Sequence, residues 1–153
     1  IKLHFIGKLQ SNKIKKAVKL FDVIQTIENQ KQIVEIDKYA KKSNKKQQIY
    51  IQINISEDPK KGGVYPREVT PLCNAIQKHQ NTELRGVMTV LKQGLKPKQS
   101  RRFYKKLKEI QQAIQKNTPS CVHTSMGMSG DYKEAIKAGA TEVRLGTLLF
   151  GKR

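Results

Sequence analysis

The chain has 153 residues, of which 31 are lysine or arginine and 12 are aspartate or glutamate, so its formal net charge is +19. This length predicts a single domain with a real core, and the apolar residues come in runs, which excludes a mostly disordered chain. No run of about 18 apolar residues occurs, so the sequence predicts no transmembrane helix and no membrane partner.

The positive charge has two interpretations. Of the basic residues, 25 are lysine and only 6 are arginine. Arginine is the residue that most often forms specific hydrogen bonds to base edges and binds phosphates with two donors. The lysines lie on the polar faces of predicted helices, beside many Gln, Asn and Ile residues. We therefore favour a solvated lysine surface with no specific nucleic-acid partner, and a salt-sensitive polyanion-binding module is the alternative.

Short apolar runs alternate along the chain with longer amphipathic stretches. The clearest strand signal is the β-branched alternation of Ile49, Ile51, Ile53 and Ile55. Pro66 and Pro119 mark a helix start and a helix end, and Ser11 is a candidate helix cap. The predicted strands span residues 3–6, 22–27, 48–55, 84–90, 121–125 and 142–145. The predicted helices span residues 12–20, 30–42, 66–79, 98–116 and 131–138.

Strict alternation of strands and helices predicts an α/β fold with a parallel sheet. Two architectures fit this pattern, a doubly wound open sheet and a (β/α)8 barrel. A barrel needs eight strands, so the sequence would be two strand–helix units short of one. In both architectures ligands bind at the carboxyl ends of the strands, which directs attention to the junctions from strand to helix.

The most informative junction is Ser-Met-Gly-Met-Ser-Gly-Asp at residues 125–131. Glycines allow a backbone to approach an anion closely, and the free N–H groups of a helix start favour phosphate. Ser125 and Ser129 add hydroxyl groups, although Ser129 is also a candidate helix cap. This stretch predicts a phosphate-binding turn.

A second small-residue turn, Gly146-Thr147, follows the last predicted strand. If the chain lacks the first two strands of a barrel, its last two strands are the seventh and eighth, where barrels often bind phosphate. Arg144 lies near the end of the last strand, which favours a functional position over a surface one. A salt bridge is the alternative role for this arginine.

No catalytic or metal site emerges from the residue pattern. Cys73 and Cys121 are far apart and predict reduced, partly buried thiols, as in a cytoplasmic protein. The few acidic residues show no pairing for acid–base work, and the three histidines have no ligand spacing. The sequence therefore predicts no metal, and no nucleophile with an adjacent base.

These junctions together resemble the pyridoxal phosphate homeostasis proteins, whose barrel is like the N-terminal domain of alanine racemase. The resemblance covers the whole chain in the family's order. The matching stretches are His-Phe-Ile-Gly-x-Leu-Gln-Ser-Asn-Lys at 4–13, Gln-Ile-Asn-Ile-Ser at 52–56, Leu-Arg-Gly-Val-Met at 84–88, residues 125–131, and Val-Arg-Leu-Gly-Thr-x-x-Phe-Gly-x-Arg at 143–153.

The resemblance implies a (β/α)8 barrel of TIM type that binds pyridoxal 5′-phosphate (PLP), is usually monomeric, and buffers or delivers PLP without established turnover. It implies that an arginine at position 144 faces the pyridine nitrogen of PLP. It also implies a phosphate site formed by Ser125, Met128, Ser129, Gly146 and Thr147.

One departure from the family pattern is large. The family's Schiff-base lysine lies in a Val-Ser-Lys-Thr-Lys-like run that ends the first strand, and a Phe-Gly-Glu-Asn-like run ends the second. Neither run occurs here, so we expect residues 1–153 to form one PLP-binding domain with only strands 3 to 8 of the barrel. A truncated sequence, a disordered segment and a short paralogue without the lysine are the three explanations, of which we favour the first.

The function expected is PLP binding in PLP homeostasis, without catalysis. A fragment of a PLP-dependent, racemase-like enzyme is the alternative, but it needs a second acid–base group, often a tyrosine from another domain. Six strands without their neighbours leave open sheet edges, so we expect the isolated chain to self-associate.

Overall fold

The structure is a computed structural model that describes residues 1–151, and it contains one sheet of six parallel strands in the order β1-β2-β3-β4-β5-β6. The strands are β1 (His4–Phe5), β2 (Val23–Ile27), β3 (Gln47–Gln52), β4 (Thr82–Met88), β5 (His123–Met128) and β6 (Glu142–Arg144). The helices are α1 (Ser11–Leu20), α2 (Gln30–Lys42), α3 (Val69–Gln77), α4 (Pro97–Asn117), α5 (Tyr132–Lys137) and α6 (Thr147–Phe150).

The strand order decides between the two architectures. A doubly wound sheet reverses its strand order at a switch point, whereas here every strand pairs with the next one along the chain. Sequential parallel pairing with a helix after each strand is the arrangement of a (β/α)8 barrel. The sheet is a curled, partial barrel, which confirms the predicted fold class.

The sheet has two different faces because strand side chains alternate in direction. Ile49 and Ile51 belong to the large apolar cluster that includes the helices, while Tyr50 packs in a small separate cluster with Val23 and Met88. The helix-facing side is therefore the main core. The concave side carries more polar groups, among them the buried Gln25.

Several element ends differ from the prediction. β5 runs on to Met128 instead of ending at Ser125, because its last residue pairs with Arg144 of β6. β3 ends at Gln52, and a 3₁₀ turn at Pro66–Glu68 precedes α3. The short helix α6 was not predicted, because its four residues are too few to show a helical period.

Helix α2 has the predicted bounds, and the start of the helix is well capped. The side-chain oxygen of Asn29 accepts a hydrogen bond from the backbone N–H of Gln32 at 3.0 Å, which satisfies one of the free donors of a helix start. The proposed cap of α1 was wrong. Ser11 is the first residue of that helix, and Gln10 occupies the cap position without a side-chain bond.

Strands β1 and β6 are the two edges of the sheet, and exposed apolar side chains lie on or beside both of them. Ile6 follows β1 with 52% of its surface exposed, and Leu149 and Phe150 follow β6 with 66% and 86% exposed. Unpaired edges and exposed apolar groups favour association between chains. The structure thus supplies a physical basis for the expected self-association.

We predict that the 153-residue chain sediments as a dimer or larger species whose fraction rises with concentration. Replacing Ile6 by Asp is expected to weaken this association by at least about tenfold, because a charge replaces an apolar side chain that would be buried. Val34→Asp, at an exposed position of α2 away from the edges, is the matched control and should leave association unchanged. Sedimentation velocity of a monomer at all concentrations would contradict the prediction.

Within residues 1–151, no helix has both the length and the apolar character that a membrane span requires.

Candidate functional site

The site predicted from the sequence lies where β5 and β6 end, on the concave side of the sheet. The residues predicted to bind PLP divide into two groups there. Ser125 and Arg144 lie inside the partial barrel, whereas Met128, Ser129, Gly146 and Thr147 form the rim at the strand ends.

Arg144 spans three strands from its place on β6. Its Nη1 donates a hydrogen bond to the hydroxyl oxygen of Ser125 on β5 at 2.7 Å, and its Nη2 donates to the carbonyl oxygen of Thr89 after β4 at 2.6 Å. The Thr89 hydroxyl in turn donates to the carbonyl oxygen of Ile53 at 2.7 Å. The arginine is thus held in a fixed orientation across the carboxyl end of the sheet.

The charge of Arg144 persists in this environment. Burial lowers the pKa of its guanidinium, and nearby acidic groups, Asp131 and Glu142 among them, oppose that shift. Because a guanidinium titrates far above neutral pH, it remains a cation and a hydrogen-bond donor in the protein. Arg144 therefore places a fixed positive charge on the concave side of the site.

The hydroxyl of Ser125 is fully buried and already engaged by Arg144. This placement follows from the longer β5, which puts Ser125 inside the strand and not in the following turn. Its predicted contact with phosphate stays a prediction. What the structure adds is that Ser125 orients the arginine.

Ser129 makes the contact that joins the two predicted turns. Its hydroxyl oxygen accepts hydrogen bonds from the backbone N–H groups of Gly146 at 3.3 Å and of Leu148 at 3.2 Å. Two backbone donors of the turn after β6 therefore converge on an oxygen atom of the turn after β5. Ser129 does not cap α5, since the residue at that cap position is Asp131.

The other rim residues are open to solvent. Met128 is 46% exposed, and a side chain at Gly146 would meet no atom within 4 Å. Thr147 begins α6 and is exposed. Arg153 of the last matching stretch lies outside the described residues.

A cleft of about 550 Å³ separates the two edges of the sheet next to these residues. This volume is in the range of small-molecule sites. The cleft lining comes from β1 and β2 on one side and from β5 and β6 on the other, and among residues 1–151 it includes no lysine. The lining residues are His4, Ile6, Gln25, Met128, Glu142, Val143, Arg144, Leu145 and Gly146.

Glu142 forms a polar cluster deeper in the partial barrel that the sequence analysis missed. Its carboxylate accepts hydrogen bonds from the hydroxyl of Tyr50 and, at 2.8 Å, from Nε2 of Gln25. Nδ1 of His4 and Nδ1 of His123 lie 3.8 and 3.7 Å from the same carboxylate. These five residues come from five strands, so no local spacing in the sequence could indicate that they meet.

Two further residues near strand ends, Asn54 and Met88, do not line this cleft. Asn54 instead organises its own loop, donating to the carbonyl oxygens of Asp58 at 2.7 Å and Lys61 at 3.2 Å. Met88 is buried in the small cluster on the concave side. Asn54 is therefore a turn residue, and Met88 is a core residue.

The two thiols are not nucleophiles in this structure. Both cysteines are free and buried, as expected for reduced thiols. Burial raises the pKa of Cys73 to about 11 and that of Cys121 to about 12, so both are protonated at neutral pH. Among residues 1–151, no group of three His, Cys, Asp or Glu side chains is placed to hold a metal ion.

The fold and the site together define a partial parallel barrel with a small-residue turn and an arginine at the carboxyl ends of its last strands. The sequence profile of "Alanine racemase, N-terminal domain" matches residues 2–153. The pyridoxal phosphate homeostasis protein of Synechocystis is 42% identical over 154 residues, which cover 100% of this chain and 71% of that protein. The protein of the same name from Aquifex aeolicus is 37% identical over 98% of this chain and 66% of its own length.

Solved structures show the same relationship. PipY of Synechococcus elongatus without PLP has a TM-score of 0.91 at 31% identity, over 97% of this chain and 70% of PipY. PipY with PLP bound has a TM-score of 0.88 at 29% identity, over 97% and 69%. An alanine racemase of Clostridium difficile, at 15% identity and a TM-score of 0.72, shares the fold.

The chain belongs to the alanine racemase N-terminal domain family and, within it, to the pyridoxal phosphate homeostasis proteins. It spans about two thirds of the length of the curated relatives, from 64% to 71% in the cases compared.

Proposed function

We propose that this chain binds PLP at the carboxyl ends of β5 and β6 and takes part in PLP homeostasis in the cytoplasm without catalytic turnover. The observation that carries the proposal is the convergence of the Gly146 and Leu148 N–H groups on the Ser129 hydroxyl. Those donors already point at an oxygen atom, and a phosphate oxygen beside it would accept the proton of the Ser129 hydroxyl and share the same N–H donors. The PLP complex of the related PipY supports the choice of ligand.

The residues present fit such a ligand. Phosphate would be held by the Ser129 hydroxyl and by the backbone at Gly146 and Thr147, with Met128 beside it. A cleft of about 550 Å³ adjoins this point and accommodates a pyridine ring. Arg144 lies on the cleft wall, where two hydrogen bonds fix its guanidinium.

PLP, when bound, supplies an aldehyde that condenses reversibly with primary amines and a pyridine ring that withdraws electrons. A charged arginine facing the pyridine nitrogen disfavours protonation of that nitrogen, so the ring withdraws electrons less strongly. This arrangement suits storage and delivery of PLP better than demanding carbanion chemistry. Because no lysine of residues 1–151 lines the cleft, we expect the chain alone to hold its ligand reversibly, chiefly through the phosphate.

The test avoids the aldehyde, which would react with many of the 25 lysines. Pyridoxine 5′-phosphate and pyridoxine differ only in the phosphate and form no covalent bond with amines. At about 0.15 M salt, where exposed charges are largely screened, the phosphorylated compound is expected to bind at least about tenfold more tightly. Equilibrium dialysis measures both affinities.

Ser129→Ala is expected to weaken binding of pyridoxine 5′-phosphate by about 3- to 10-fold, the effect of losing one hydrogen bond. Binding of pyridoxine should not change. Ser43→Ala, at the exposed end of α2, is the matched control. Equal binding of adenosine monophosphate, undisturbed by Ser129→Ala, would show non-specific attraction to the positive surface and would refute the proposed site.

A further inference from the structure

The turn that carries Ser129 is held in place by a residue from a distant helix. Tyr104 of α4 is only 1% exposed, and its hydroxyl donates a hydrogen bond to Oδ2 of Asp131 at 2.6 Å. Burial, and then the bond to Asp131, raise the pKa of the phenol, so Tyr104 stays protonated and remains a donor. A buried phenol is stable only with such a partner.

Asp131 in turn fixes the end of β5 through two hydrogen bonds to Met128. Its other oxygen, Oδ1, accepts a hydrogen bond from the backbone N–H of Met128 at 2.8 Å, and its own N–H donates to the Met128 carbonyl at 3.0 Å. Ser129 and Gly130 lie at the tip of the turn that these two bonds close. Met128 and Gly130 are exposed, so burial does not fix the tip.

We propose that Tyr104 and Asp131 are positioning residues that set the Ser129 hydroxyl against the Gly146 and Leu148 N–H groups. The contacts run in series from α4 through Asp131 to Met128, and from Ser129 to the turn after β6. The consequence for ligand binding rests on the proposed phosphate site. The positioning of the Ser129 hydroxyl does not depend on a ligand and applies to the free chain as well.

The negative charge of Asp131 distinguishes a positioning role from direct contact with the phosphate. A carboxylate beside a phosphate repels it, so Asp131 contributes through geometry and against its own electrostatic effect. An asparagine at this position would keep an oxygen for the Met128 N–H and remove the negative charge. An alanine would remove both, so the two substitutions are expected to have opposite consequences.

The experiment compares Tyr104→Phe, Asp131→Asn and Asp131→Ala with the unchanged chain. Tyr104→Phe and Asp131→Ala should each weaken binding of pyridoxine 5′-phosphate by about 3- to 10-fold, the effect of one lost hydrogen bond. Asp131→Asn should retain or increase the affinity, and binding of pyridoxine should not change in any variant. Tyr132→Phe is the matched control, because Tyr132 of α5 is next to Asp131 and takes no part in the contacts that run from Tyr104 to Met128.

Hydrogen exchange of the free chain gives a readout that does not depend on the ligand. Amides in residues 126–131 and 145–149 should exchange about tenfold faster in Tyr104→Phe, since the turn loses one hydrogen bond. The exchange rates of the β2 amides should not change. If the unchanged chain fails to prefer the phosphorylated compound, the proposed function fails, while hydrogen exchange still decides the positioning role. Unchanged exchange at both segments in Tyr104→Phe and Asp131→Ala would overturn the inference.

Discussion

Gly127→Ala is expected to destabilise the chain by about 2–4 kcal/mol, because it combines backbone strain with a steric clash. Gly127 has a φ of +92°, in the left-handed region that side chains disfavour. A Cβ added there would lie 2.6 Å from Cβ of Ala135 and 3.0 Å from Cα of Tyr132. Neither atom is at the end of a flexible side chain, so α5 itself would have to move away from β5.

The measurement is urea unfolding at one fixed, low protein concentration, since association would add a concentration-dependent term. Gly130→Ala is the matched control in the same turn, where an added Cβ meets no atom within 4 Å and φ is not left-handed. We expect its effect to stay within about 0.5 kcal/mol, as for most surface substitutions. Equal unfolding midpoints for the two variants would show that the contact between β5 and α5 is looser than the structure indicates.

Arg144→Met has the second large expected effect. It keeps most of the side-chain volume but removes the donors to the Ser125 hydroxyl and to the Thr89 carbonyl oxygen. Leaving a buried acceptor without a donor costs about 1–3 kcal/mol, and two such losses predict a free energy of unfolding lower by about 2–6 kcal/mol.

Arg144→Lys tests whether geometry or charge is essential at this position. A single ammonium group does not reproduce the planar fork that reaches β5 and β4 together, so we expect only partial recovery of stability. Arg102→Met, at an exposed position of α4, controls for the loss of one positive charge. Urea unfolding and binding of pyridoxine 5′-phosphate are the two readouts. A stability of Arg144→Met equal to that of Arg102→Met would contradict the bridging role of the arginine.

The comparison of sequence and structure at β5 shows where local patterns fail. Glycine and serine after Ser125 predict a loop, because these residues disfavour strands when considered alone. In the folded chain Met128 pairs with Arg144 of the neighbouring strand, and this pairing extends β5 to Met128. A partner strand therefore overrides a local preference, and the override changes the environment of Ser125 from a turn to the interior.

The sequence by itself determined the order of the six strands and of the helices between them, and it placed the residues predicted to bind PLP at the ends of the last two strands. It could do so because the alternation of Ile49 and Ile51 and the positions of the prolines are signals that act over a few residues. Only the tertiary structure decided that Arg144 bridges Ser125 and Thr89, that Tyr104 holds Asp131, and that Glu142 meets residues of four other strands. Those contacts join side chains far apart in the chain, and their geometry depends on how the sheet curls, which no local pattern encodes.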